Sequence, residues 1–246
     1  MARRLPLDTK LDVVIKPQPD ETTCGPTCLD AVYRYYGDGV PLTDVIGQIR
    51  RLDHGGTYAA YLGCHALRRG YAATLYTWDL KVFDPTWFGR GGAKALLERL
   101  AAQREFKPDK RMQTASAAYS EFVSLGGLVR FRDLTAPFLR GLIRRGLPVI
   151  AGLSSTYLYR TPREYGANDV PDDLRGEPAG HFVVLSGYRR RDRVVRVSDP
   201  FHTNPVSKSL HYWVNINRLI CAVLLGNLTF DANLLVVTPK RGTQRR

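Results

Sequence analysis

The stretch from Gln18 to Gly37, Gln-Pro-Asp-Glu-Thr-Thr-Cys-Gly-Pro-Thr-Cys-Leu-Asp-Ala-Val-Tyr-Arg-Tyr-Tyr-Gly, constrains the chain most, because it sets a cysteine at the start of a helix. Cys28, Leu29, Val32, Tyr33 and Tyr36 recur at helical spacing, Pro26 suits a first turn, Thr22 and Thr23 can cap, and Gly37 can end the helix. Such a helix buries one face and leaves its amino end open at Cys24. Unpaired backbone N–H groups and the positive end of the helix dipole favour thiolate over thiol there, so Cys24 is a candidate nucleophile. Gln18, six residues upstream, can fold its amide back beside the sulfur and donate to an oxyanion formed on an attacked carbonyl.

Acyl transfer by a thiolate also needs a base and a group that holds that base in one tautomer. The run Gly180-His181-Phe182-Val183-Val184-Leu185-Ser186-Gly187-Tyr188 reads as a strand with a histidine at its start. A charged hairpin turn joins it to a second strand, Arg193 to Ser198, whose return brings Asp199 alongside His181. Taken singly, each residue has a plainer explanation: a core cysteine, a satisfied histidine, an Asp-Pro turn, a surface glutamine. The four together, in this order, argue for a site. His202 is the one rival base, and Ser154, Ser155 and Tyr157 could line the cleft or simply make turns.

Gln18, five intervening residues and Cys24-Gly25-Pro26-Thr27 resemble the signature of the bacteriocin-processing leader peptidases and their stand-alone relatives, papain-like cysteine peptidases that trim double-glycine leader peptides. Gly180 to Tyr188, followed by Val197-Ser198-Asp199-Pro200, resembles that family's second motif. The resemblance implies an α+β, papain-like fold, with an N-terminal helical lobe packed on a C-terminal antiparallel sheet lobe. It also implies roles: Cys24 as nucleophile, His181 as general base and acid, Asp199 as orienter and Gln18 as oxyanion donor. The reaction implied is hydrolysis of a peptide bond through a Cys24 thioester, on a peptide or protein substrate, with no metal or organic cofactor. The same residues could instead pass the acyl group to an amine or deamidate a side chain, and a vestigial site would leave a binding module. The resemblance is specific near 18–37 and 180–200, suggestive over 41–78 and 128–153, and absent from 79–127.

Composition narrows the surroundings of such a site. The net charge of +13, from 36 Lys and Arg against 23 Asp and Glu, is spread in pairs and short runs that alternate with apolar segments. A solvated basic face explains this, and an acidic polypeptide partner is the alternative left open. No zinc-finger spacing, RNA-binding signature or Lys-rich tail supports nucleic acid. Four cysteines, at 24, 28, 64 and 221, are too sparse for a disulfide framework. With no apolar h-region at the start and no run of membrane-spanning length, the expectation is a cytoplasmic protein without a membrane span. Cys28 with His54 or His65 offers a weak metal alternative, although Cys28 shares the apolar face with Leu29 and Val32.

No repeat or linker divides the chain, so the expectation is one peptidase-like domain, 1–246. Its parts are a helical lobe (1–78) with the nucleophile, an insertion (79–127) that is either a rim on the cleft or helical padding, a sheet lobe (128–239) with His181 and Asp199, and a basic tail (240–246). Other expectations are a strand at Leu11 to Ile15, a short helix at Tyr119 to Leu125, an irregular loop from Ser154 to Pro178, and burial of Cys28, Cys64 and Cys221.

Overall fold

The computed structural model describes residues 8–53, 55–89, 91–166 and 168–240. His54, Arg90, Ala167 and most of the basic tail lie outside them. The first part of the chain runs through β1 (Thr9–Lys10), α1 (Cys24–Tyr35), α2 (Leu42–Gln48), α3 (Ala59–Arg68) and β2 (Tyr71–Thr77). A 3-10 turn at Pro85–Phe88, capped by Asp84, leads into α4 (Gly92–Phe106) and α5 (Lys110–Ser124). Then follow β3 (Leu128–Arg130), α6 (Ala136–Arg144), β4 (Val149–Ser154), α7 (Ser155–Tyr159), β5 (Glu164–Tyr165) and β6 (Val170–Pro171). The chain continues with β7 (Gly180–Arg189), β8 (Val194–Ser198), β9 (His211–Asn215), α8 (Ile216–Leu225) and β10 (Asn233–Pro239).

The main sheet has the order β3-β2-β10-β4-β7-β8-β9, with β1 added beside β7. Its ladders are antiparallel except for β2 with β3, which are parallel. The fold is therefore α+β, but the sheet is not wholly antiparallel, and β2 reaches it from the early part of the chain. A parallel pair needs a long crossover, and the 3-10 turn with α4 and α5 supplies it. β4 is buried at every position and β7 between its two ends, so helices cover both faces of the sheet. Here α1 meets β7, α3 meets β2 and β10, α6 packs on β7, and α8 packs on β4 and β8.

Four local expectations change. Leu11, Val13 and Ile15 are buried and Asp12 and Val14 exposed, yet regular pairing stops at Lys10, with one further bond from Leu11 N–H to Ser186 O. Alternation there reports burial rather than a ladder. The helix expected at Tyr119 to Leu125 is instead the full α5, capped by the Asp109 carboxylate; its inner face includes Ala115, Ser116 and Ala118, too small to mark a helical period. The 154–178 segment holds α7 and the β5–β6 hairpin. Cys221 is exposed, because α8 turns Ile216, Leu219, Ala222 and Val223 inward.

Candidate active site

α1 begins where a turn of side-chain hydrogen bonds ends. The Asp20 carboxylate accepts from Thr22 N–H and Thr22 Oγ1, and Thr23 Oγ1 donates to Asp20 O. Thr23 occupies the N-cap without a side-chain cap bond, so the turn, rather than a threonine hydroxyl, fixes the helix start. At the other end Gly37 (φ +79°) lets its own N–H reach Arg34 O and Asp38 N–H reach Tyr33 O, a Schellman closure. Where one buried face and an open amino end were expected, every residue from Cys24 to Tyr33 is buried, because α1 packs against β7, α2 and α3. Cys28 Sγ donates to Phe182 O at 3.3 Å, and Gly25 lies against the Phe182 ring, so α1 is seated on the first residues of β7.

That seating brings Cys24 to His181. The ladder pairs His181 with Leu153 of β4, and Val184 with Ser198 at the end of β8, which leaves Asp199 just beyond β8. His181 Nε2 bonds Asp199 Oδ1 at 2.8 Å, and Cys24 lies close enough for its charge to act on the His181 ring. With Nε2 on the carboxylate, Nδ1 is the nitrogen left for the sulfur. Burial by itself disfavours the imidazolium, but the charges of Asp199 and Cys24 and the bond to Asp199 outweigh it and raise the His181 pKa to about 10. For Asp199, burial pushes upward; the His181 charge and bonds from His181, Tyr212 and Phe201 N–H hold its pKa below the usual value.

Two tyrosines missed in the sequence complete this arrangement. Tyr159 and Tyr212 hydroxyls donate to Asp199 Oδ2 at 2.7 and 2.6 Å, while Phe201 N–H donates to Oδ1 at 2.9 Å. Burial first, then the Asp199 charge, raise the pKa of both phenols, so they remain donors. Tyr212 could be found as the inward residue of a strand paired with β8. Tyr159 lies in the segment read as loop and gave no signal.

The remaining candidates fall as follows. Gln18 is tied to the Asp199 loop, since its backbone N–H donates to Pro200 O at 2.9 Å; its side-chain amide donates to Asp20 O, and its Oε1 is buried without a partner. It thus stands near both halves of the site with its amide turned to the α1 turn. His202 is exposed, next to Phe201. Ser154 caps α7, Ser155 Oγ donates to Ala179 O, and Tyr157 is 40% exposed. Cys28 is occupied with Phe182, and burial drives its pKa well upward; His65 bonds Tyr33 and Gln48.

A buried Cys–His–Asp row at a helix amino end is what thiol acyl transfer requires, and the comparison with known families bears on the His–Asp half. Residues 111–220 match the Peptidase_C39 like family. The C39-like segment contains His181 and Asp199 and leaves Cys24 outside it. No curated protein matches the chain. Among solved structures the chain is similar to a C39-like peptidase from Bacillus anthracis, at 14% identity and TM-score 0.46, covering 94% of this chain and 97% of that one. It is also similar to a double-glycine motif protease from an AMS/PCAT transporter, solved in complex with the leader peptide, at 14% identity and TM-score 0.46, covering 94% and 95%. A third is xylellain, a cysteine protease from Xylella fastidiosa, at 13% identity and TM-score 0.43, covering 96% and 87%. Among the described residues no helix is long and apolar enough to cross a membrane.

Proposed function

We propose that the chain is a cysteine peptidase that hydrolyses a peptide bond through a thioester on Cys24. The observation that carries this reading is the buried grouping of Cys24, His181 and Asp199, with His181 bonded to Asp199 at 2.8 Å and within reach of the Cys24 charge. The Cys24 thiolate attacks the scissile carbonyl carbon and its oxygen takes the negative charge. Donors for that oxyanion are the Cys24 N–H at the amino end of α1 and the Gln18 amide, which must leave Asp20 O or use its second N–H. As the C–N bond breaks, the His181 imidazolium gives its proton to the departing amine. The neutral imidazole then takes a proton from water, whose oxygen attacks the thioester, releasing the acid and regenerating the thiolate. Asp199 holds the ring through Nε2 throughout, and Tyr159 and Tyr212 hold Asp199.

The substrate under this reading is a peptide or protein, in line with the motif resemblance. Incubation with peptides in H₂¹⁸O, followed by mass spectrometry of Cys24 and of the products, tests it. The expected result is an acyl adduct on Cys24 and an acid product carrying ¹⁸O. An adduct that passes only to amines would replace hydrolysis by acyl transfer, and turnover that survives Cys24→Ala would reject the site.

A further inference from the structure

Three buried polar side chains beside the site take no part in this chemistry. Asp79 follows β2, Asp231 precedes β10 and Asn233 opens β10. Asn233 pairs with Thr77 on one side and Gly152 on the other, and Gly152 pairs with Phe182. The bond from Trp78 N–H to Ala232 O carries the β2–β10 pairing outward. On β4 and β7 the ladder continues to Ser154 and Gly180, immediately before His181, while Asp79 and Asp231 lie past the ends of their strands, where Asn233 N–H turns back to Asp231 O at 2.7 Å. Gly180 is exposed, and a Cβ on it would collide with Asp231 Oδ2 and stand 2.9 Å from Thr229 Oγ1. The Asp231 carboxylate thus fills the space beside the exposed backbone that leads into His181.

The acids are only partly compensated, Asp79 by the Lys81 N–H at its Oδ1 and by the Lys81 and Lys107 charges, and Asp231 by Thr229 and His181. Among the described residues neither carboxylate has a cation at ion-pair distance, and Lys81 spends its ammonium on Leu228 O (3.1 Å) and the Phe230 ring (4.7 Å). Asp79, fully buried, has an unpartnered Oδ2; Asn233, 1% exposed, has neither Oδ1 nor Nδ2 paired. Asn233 Oδ1 and the Asp231 C=O converge on the space where Gly152 lacks a side chain. Buried polar atoms are nearly always paired, so the unpartnered acceptors Asp79 Oδ2 and Asn233 Oδ1 mark a missing donor. Burial, reinforced by the Asp79 charge, raises the Asp231 pKa to about 7 against the pull of Thr229 and His181, and burial raises Asp79 to about 6. A cation with several N–H donors would relieve both the repulsion and the unpaired acceptors, within a molecule that is otherwise strongly basic.

We infer that Asp231, backed by Asp79 and Asn233, forms a subsite for the lysine or arginine side chain of a bound peptide, within three residues of the scissile bond. The inference rests on the peptidase reading. It is tested by digesting a synthetic peptide mixture of defined diversity, including norleucine as the neutral counterpart of lysine, and mapping the cuts by mass spectrometry. Lysine or arginine should be enriched about tenfold over norleucine at one fixed position, and Asp231→Asn should collapse that ratio. In the wild-type protein the ratio should also fall between pH 8 and pH 6, as Asp231 takes up a proton. The groups facing it are Asp79 beyond β2, His181 on β7, Tyr58 before α3 and Tyr119 on α5; Asp79 protonates in the same direction and His181 stays charged over that range. A cut pattern indifferent to charge, or a preference unchanged in Asp231→Asn and across pH, overturns the subsite and leaves the peptidase standing. Absence of any cut, with Cys24 still alkylated by iodoacetamide, overturns the hydrolase reading and the subsite with it.

Discussion

Asp199 accepts hydrogen bonds from His181, Phe201, Tyr159 and Tyr212 while fully buried, so its charge is stabilised where desolvation would otherwise neutralise it. This coupling has a sign in pH. The His181 contribution to stability, with a folded pKa raised to about 10, is fully present below the ~6.5 of an unfolded histidine and is lost as pH rises through 10. The Asp199 contribution, with a lowered folded pKa, is present above ~3.9 and is lost as pH falls through its folded value. The difference in melting temperature between wild type and Asp199→Asn should therefore be widest near pH 5 to 6.5 and narrow toward pH 10. A gap that stays constant across that range would mean the pair is not ionised. Gln18→Ala should lower kcat by about 10²-fold with little change in substrate Kd, since an oxyanion donor acts in the transition state. An unchanged kcat removes Gln18 from the site.

At the scale of elements, α3 and α5 meet through a glycine. A Cβ on Gly63 would run into the ring of Phe122, which is fully buried and also confined by Gly127. Gly to Ala within a helix ordinarily gains about 1 kcal/mol. Here overpacking should reverse the sign, and Gly63→Ala should destabilise by about 1–3 kcal/mol in urea titration; a stabilised variant would show that α5 is not held against α3 as described. The same elements show what a sequence displays. α6 and α8 are legible, because Thr135 and Asn215 cap them and large apolar residues mark the period. α5 is not, because small residues on its inner face hide the period. The pairing of β2 with β3 depends on how a crossover folds back, which no local alternation encodes. Cys24, His181 and Asp199 are legible through motif and order, whereas Tyr159, Asp79 and Asp231 act through neighbours distant in sequence.

At the scale of the molecule, the site exists only because α1 is seated on β7. Cys24 and His181 are 157 residues apart in the chain, and the contacts of Cys28 and Gly25 with Phe182 fix their approach. The central claim, that this approach makes a thiolate–imidazolium pair, is tested most directly by the pH profile of cysteine alkylation with iodoacetamide, read by peptide mass spectrometry. Cys28 and Cys64 should lag, since burial raises both pKa values, Cys64 to about 12. Exposed Cys221 reports simple access. Cys24 should keep reacting well below the ~8.5 at which a free thiol is half ionised. His181→Ala should abolish that low-pH reactivity, and Asp199→Ala should weaken it. A Cys24 profile that coincides with that of Cys221, or that ignores His181→Ala, would contradict the account.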